Sequence, residues 1–353
     1  MDLLESTIAR IGSPDETARA AARARQNALT KPRGSLGMLE DLSVKIAGIT
    51  GSPRPRIEGK AVFVMAGDHG VCEQGVSAFP RKVTVQMLEN MIAGGAGINV
   101  LSRQAGARVV IADIGVGSDL KPAPGLYLKK VRAGTADMSA GPAMSRDEAR
   151  RSIEAGIEVF EAEFTREKFD LVATGDMGIG NTTPSTALAS VFTGKTIREI
   201  VGRGTGIDDA ALERKIAAVE LALAVNRPGA SDALGSLAAV GGLEIGAIAG
   251  VILAAAARRI PVLIDGFISG AGALVARGLC PGSTEYMIAA HLSGDRGHRF
   301  MLEELGLEPI LSLGLRLGEG TGAVLAMGLC EAACRVLDEM ATFEEASVSV
   351  KNR

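Results

Sequence analysis

The sequence predicts an α/β fold, a parallel sheet with helices on both faces. Short, near-continuous apolar runs recur along the chain and alternate with amphipathic segments, the pattern of strands buried on both sides and joined by helices. Glycine is abundant, at 45 residues, which suits many close strand-to-helix turns. The 353 residues suffice for one large domain of this kind plus a smaller appendage.

The elements follow in order. Residues 1 to about 50 read as helical and polar, with an Ala/Arg-rich stretch from Glu16 to Gln26, and Pro53 and Pro55 break that pattern. Strands are expected at Ala61–Ala66 (AVFVMA), Arg108–Ile114 (RVVIADI), Asp170–Ala173 (DLVA), Pro261–Ile264 (PVLI) and Tyr286–Ala290 (YMIAA). Helices are expected over 84–105, 145–163, 208–225 and 243–259. The longest apolar run, Ile245 to Ala257, is too short to span a bilayer and reads as a buried helix. The tail from about Thr321 is helical again, so the two ends are free to pack into one small helical domain.

Composition excludes several function classes. A net charge of −3 implies neither a polyanion nor a membrane surface as partner. With no tryptophan, two tyrosines and nine phenylalanines, stacking on nucleic-acid bases is disfavoured. Cys72, Cys280, Cys330 and Cys334 match no zinc or redox spacing. Cys330 and Cys334 lie one helical turn apart, as in a packed core within a reducing compartment. The start, Met1-Asp2-Leu3-Leu4-Glu5, lacks the pattern of a signal peptide, and a cytoplasmic location is expected. His69, His291 and His298 have no metal-ligand spacing and read as hydrogen-bonding residues; neither metal nor cofactor is expected.

The polar residues collect after the strands. The first strand runs into Gly67-Asp68-His69-Gly70, the next into Asp113-Ile114-Gly115, and the third into Gly175-Asp176-Met177-Gly178-Ile179-Gly180-Asn181-Thr182-Thr183. The last two lead into Asp265-Gly266 and His291-Leu292-Ser293. One Asp or Gly after a strand is ordinary turn chemistry. Five such ends point to one shared pocket at the carboxyl edge of a sheet.

Two glycine-rich segments stand out. Gly202-Arg203-Gly204-Thr205-Gly206-Ile207-Asp208 precedes a helix, where loop amides favour an anion and Lys215 adds a charge. The same residues also fit a flexible turn with a capping Asp208 and a surface lysine. In Arg316-Leu317-Gly318-Glu319-Gly320-Thr321-Gly322, Glu319 sits between glycines with nothing local to pair it. A carboxylate held that way is either a general base that approaches a substrate closely or an exposed turn residue. Gly194-Lys195-Thr196 is not the end of a P-loop, because position 189 is Ala.

In order along the chain, Lys31-Pro32-Arg33-Gly34-Ser35-Leu36-Gly37, Asp68-His69-Gly70-Val71 and Gly178-Ile179-Gly180-Asn181-Thr182-Thr183-Pro184 are followed by Gly241-Gly242-Leu243-Glu244, Leu263-Ile264-Asp265-Gly266-Phe267 and Arg316–Gly322. This series resembles the nicotinate-nucleotide:5,6-dimethylbenzimidazole phosphoribosyltransferase family over nearly the whole chain. The resemblance implies a homodimer with a Rossmann-like parallel sheet and a small helical domain from both chain ends. The division it implies is an N-terminal helical segment over 1–50, a large α/β domain with the active site over 55–300, and a C-terminal segment over 301–353 carrying the catalytic loop.

The resemblance also implies roles. Glu319 matches the catalytic glutamate, and Asp176 an acidic position beside the ribose. Gly204, Lys215 and Ser293 match phosphate-site positions. Gly178, Gly180, Asn181, Thr182, Asp265 and Gly266 are taken as the nicotinate and ribose end. Phe79, Met87, Met177 and Leu317 match the benzimidazole pocket, with Phe79 and Met87 replacing polar residues of some members. The implied reaction moves ribose phosphate from nicotinate mononucleotide to dimethylbenzimidazole with inversion at C1′, the step that makes the lower ligand of cobalamin. A nucleotide- or ribazole-binding protein without turnover, and a nucleotide glycosidase, are the competing readings.

Overall fold

The computed structural model describes residues 2–204 and 206–349; Thr205, within the first glycine-rich segment, lies outside the described residues. The chain opens with three helices, α1 (Leu3–Ile8), α2 (Glu16–Ala28) and α3 (Met38–Thr50). Asp2 and Asp15 start the first two by accepting the amides of Glu5 and Ala18. The next stretch is β1 (Lys60–Gly67), α4 (Lys82–Ile92), α5 (Gly97–Ala105), β2 (Arg108–Gly115) and β3 (Leu126–Leu128). It is followed by α6 (Arg146–Arg166), β4 (Leu171–Met177), α7 (Thr182–Thr193), α8 (Ile197–Ile200), α9 (Asp209–Asn226), α10 (Ala233–Val240) and α11 (Leu243–Ala257). The last elements are β5 (Val262–Ile264), α12 (Phe267–Leu279), β6 (Met287–Ala289), α13 (His298–Leu305) and α14 (Thr321–Glu339).

The six strands form one all-parallel sheet in the order β3-β2-β1-β4-β5-β6. Alternation along each strand sorts side chains into two cores. Ala61, Phe63, Met65, Val172, Val262 and Ile264 face the layer that contains α6, α11 and α12. Val62, Val64, Ala66, Ala173 and Leu263 face the layer that contains α5 and α14. Four of the nine phenylalanines gather on the first face: the Phe63 and Phe160 rings stack 5.6 Å apart, and Phe169 meets Phe160 edge-on at 5.2 Å. The apolar run around Ile245 is α11, buried from Leu243 to Ala256. Close approach makes this possible: a Cβ at Gly156 of α6 would lie 2.0 Å from the Ala247 carbonyl oxygen, and one at Gly250 the same distance from that of Ile153.

At the chain ends, Ala22, Val44, Ala47 and Leu337 form a small cluster between α2, α3 and α14, and Leu29 bridges to Thr342. Cys330 and Cys334 are buried in the sheet-facing core, and burial pushes the Cys334 thiol up to about 12. Among the described residues no helix is long and apolar enough to cross a membrane.

The expected strands are all present, and the structure adds the three-residue edge strand β3. The expected single helix over 84–105 is two helices. The chain turns at Gly94, where φ is +82°, and α5 restarts at Gly97 with a box in which the Asn99 side chain accepts the Ala96 amide.

Candidate active site

The strand order reverses between β1 and β4, so a crevice opens at their carboxyl ends. Asp176 comes from the end of β4, Asp265 follows β5, and Glu319 arrives on the loop before α14. Gly318, Glu319 and Gly320 all have positive φ, at +81°, +62° and +90°. For a glutamate this left-handed geometry is strained, the kind of strain that persists only where the surroundings impose it. A Cβ at Gly175 would lie 2.5 Å from the Glu319 carbonyl oxygen, so the loop lies directly on the end of β4.

Glu319 is only 4% exposed. The Ile98 N–H, in the first turn of α5, donates to its Oε2 at 3.1 Å. The break between α4 and α5 therefore presents a helix N-terminus to this carboxylate. Burial raises the Glu319 carboxyl above its ordinary value, the Ile98 bond lowers it, and the Asp265 charge raises it again. The reading of Glu319 as an exposed turn residue is overturned: its shield comes from α5, far away in sequence.

Asp176 is buried, and Asn181 Nδ2 donates to its Oδ2 at 2.8 Å. Burial and the neighbouring Asp265 push its carboxyl well above the ordinary range, Asn181 opposes this, and Glu244 and Glu319 add to the rise. Asp265 Oδ1 accepts the Ala323 amide of α14 at 2.8 Å and faces His291 Nε2 at 3.5 Å. Its other oxygen is buried without a hydrogen-bond partner among the described residues. Four carboxyl groups thus sit at one edge of the sheet, and their mutual repulsion, which raises Asp176, is relieved by positive charge in the crevice.

The glycine-rich segment before α9 turns at Gly204, where φ is +49° and a Cβ would lie 3.0 Å from Thr182 Oγ1. Asp208 caps α9 by accepting the Ala211 amide, as one reading of the segment expected. Lys215 is not a surface lysine. It is buried, and its Nζ donates to Thr182 Oγ1 at 2.7 Å and to the Gly202 carbonyl at 3.3 Å. Burial lowers its amine to about 8, against the pull of Asp295. Ser293 donates its N–H to His298 Nδ1 and accepts the Asp295 amide on Oγ. Burial and His291 depress the His298 imidazole to about 3, which keeps it neutral and accepting.

One cavity of ≈ 480 Å³, mouth included, is walled by Asp176, Asn181, Thr182, Gly204, Gly266 and Ser293 among others. The structure thereby brings the expected ribose and phosphate residues together, with Lys215 one hydrogen bond behind the wall at Thr182. Gly178 packs under the crevice, where a Cβ would lie 2.2 Å from the Gly67 carbonyl oxygen, and Gly180 packs against Cys72. At the mouth, Leu317 is 62% exposed. Leu317 and Glu319 both reach Gly97, while Met87 and Met177 lie half-buried on the core beneath. Phe79, 49% exposed, stands on the loop before α4 and is not among the residues that wall the cavity.

A family model described as phosphoribosyltransferase matches residues 11–348 of this chain. The nicotinate-nucleotide–dimethylbenzimidazole phosphoribosyltransferase of Desulforudis audaxviator is 59% identical over 349 residues, covering 99% of both chains. The protein of the same name from Chloroflexus aggregans is 59% identical over 351 residues, again covering 99% of both. The chain belongs to the nicotinate-nucleotide–dimethylbenzimidazole phosphoribosyltransferase family. The crystal structure of the Thermus thermophilus enzyme of that name superposes with a TM-score of 0.91 at 45% identity, over 96% of this chain and all of the other. The protein is thus a phosphoribosyltransferase with the α/β architecture of that family.

Several residues of this family member's crevice carried no expected role. Arg316 lines the cavity and donates to the Gly204 carbonyl at 3.1 Å, and Asp295, Phe267 and Ile268 line it too. His69 Nε2 lies 2.9 Å from Glu244 Oε1, both buried beneath Gly67 and Gly178. Arg316 opens a glycine-rich segment, and Glu244 is the one charge at the head of an apolar run. Both were visible signals.

Proposed function

We propose that this enzyme transfers the ribose phosphate of nicotinate mononucleotide to dimethylbenzimidazole, giving α-ribazole 5′-phosphate and nicotinate in the assembly of the cobalamin nucleotide loop. The observation that carries the mechanism is Glu319, a buried carboxylate with one oxygen held by the Ile98 amide. No hydrogen bond within the described residues engages its Oε1, which is the oxygen for the substrate.

The pyridine nitrogen of the donor is already cationic and leaves C1′ as a neutral ring, so no acid is needed. The incoming benzimidazole loses its N–H proton as the new bond forms, and Glu319 takes it. A carboxyl raised by burial is a stronger base and works closer to neutral pH. Attack from the face opposite the leaving ring inverts C1′. Asp176, among the crevice carboxylates, stabilises positive charge on the ribose. Gly204, Lys215 and Ser293 hold the 5′-phosphate, with Arg316 beside them. Gly178, Gly180, Asn181, Thr182, Asp265 and Gly266 shape the ribose and nicotinate end. Phe79, Met87, Met177 and Leu317 clasp the base.

In the same reading the enzyme is a cytoplasmic homodimer, with the helical segments 1–50 and 301–353 flanking a large domain over 55–300. Mixing purified protein with either substrate alone and with both tests the reaction. Nicotinate release only with both, together with an α-linked product, is the expected result. Release from the mononucleotide alone means a glycosidase, and no release in any mixture means a binding protein.

A further inference from the structure

We propose that Thr84 is a positioning residue that ties the base side of the crevice to the loop after β4. This rests on the assignment of Met87 to the base pocket and of residues 178–181 to the donor side. Thr84 lies in the first turn of α4, fully buried, one turn before Met87. Its Oγ1 donates to Asp68 Oδ1 at 2.7 Å and accepts the Ile179 amide at 3.1 Å. Both capacities of the hydroxyl are therefore used on partners from two different strand ends.

Asp68 makes the link rigid. Its second oxygen accepts the Gly117 amide at 2.7 Å, its N–H donates to the Gly115 carbonyl, and its own carbonyl accepts the Thr135 N–H. Every polar group of Asp68 is thus bonded, and the turns after β1 and β2 are fixed to it. Thr84 extends that fixed point to α4 and to the loop after β4. Two residues beyond Ile179 in that loop, Asn181 holds Asp176. One hydroxyl therefore sets the distance between the helix that carries Met87 and the loop that holds the acid beside the ribose. At the phosphate end, Thr182 is held separately by Lys215 Nζ, a bond that does not involve the Thr84 hydroxyl.

Thr84→Val keeps the shape and removes both bonds, leaving the Ile179 amide and one Asp68 oxygen buried without partners. Turnover should fall about 10- to 100-fold, and the KM for dimethylbenzimidazole should rise, because the reacting rings lose their relative placement. The KM for nicotinate mononucleotide should stay within about 3-fold. Thr84→Ser retains the hydroxyl and should recover most of the loss. A folded Thr84→Val enzyme with wild-type turnover and base KM overturns the inference, and so does an equal loss in the Val and Ser variants. Should Thr84→Val not fold, Thr84→Ala replaces it. That variant removes the hydroxyl and both of its bonds and puts nothing in its place; the same selective loss is expected, and wild-type kinetics overturn the proposal. Met87→Ala, assayed in parallel, separates the two layers of the argument. If it raises the base KM while Thr84→Val does not, only the inference fails; if neither does, the pocket assignment has failed with it.

Discussion

At Glu319, strain, burial and a helix amide meet on one side chain. Glutamine has the same shape and can still accept the Ile98 N–H, but it cannot take a proton from the incoming base. Glu319→Gln should therefore bind both substrates near normally and lose roughly 100- to 10,000-fold in turnover, the range general-base help contributes. Steady-state kinetics with each substrate varied check this, and near-normal turnover removes Glu319 as the base. Lys215 invites a second test. Its amine sits near 8, so the free enzyme loses this charge as pH rises through that value. Mononucleotide affinity should weaken across that window. Lys215→Ala should weaken the mononucleotide at neutral pH, flatten the pH response, and leave nicotinate riboside, which has no phosphate, almost unaffected. Equal losses for both donors mean that Lys215 does not read the phosphate. At this scale the sequence marked side chains that gather around the crevice but not their surroundings. Gly-Glu-Gly announces an unusual backbone, yet the shield over Glu319 comes from Ile98, 221 positions away. Likewise, nothing local to Lys215 tells that Thr182 and Gly202 bury it.

Among the elements, the long strands were legible because burial on both faces leaves continuous apolar runs. The edge strand β3 was not: β5 and β6 are equally short but fully buried, whereas Leu126–Leu128 is half-buried to exposed and its sequence carries no continuous apolar run around it. The helix α12 was also missed, its apolar face diluted by Gly270, Gly272 and Gly278, and α10 spans only eight residues. The break between α4 and α5 was hidden because apolar residues continue at helical spacing across it. Two glycines that look alike in sequence behave oppositely in the structure. Gly156→Ala should destabilise by about 1–3 kcal/mol or more, because its Cβ has no room against the Ala247 carbonyl and both helices must part. Gly328, inside α14, meets nothing within 4 Å, so Gly328→Ala should stabilise by about 0.5–1 kcal/mol through helix propensity. Thermal melting of the two variants, moving in opposite directions, checks this packing. A Gly156→Ala protein as stable as wild type contradicts the backbone-to-backbone contact of α6 and α11.

For the molecule as a whole, the sheet order and its switch point explain why the polar ends of β4, β5 and β6 line one crevice, while Asp113 near the end of β2, also expected there, is taken up by the Val116 amide and Lys130. The class of fold followed from apolar patterning alone; the reaction followed from the ordered series of short motifs, which composition could not supply. The same architecture has a consequence in time. The contact that completes Glu319 joins residues 221 positions apart, and Leu29 pairs with Thr342 across almost the full length of the chain. A ribosome adding about 5–20 residues per second needs roughly 11–44 s to travel from Ile98 to Glu319. During that interval the emerging polypeptide can already carry its first parallel strands, while the carboxylate proposed as the base has yet to be translated. The catalyst therefore switches on only near the end of its own synthesis.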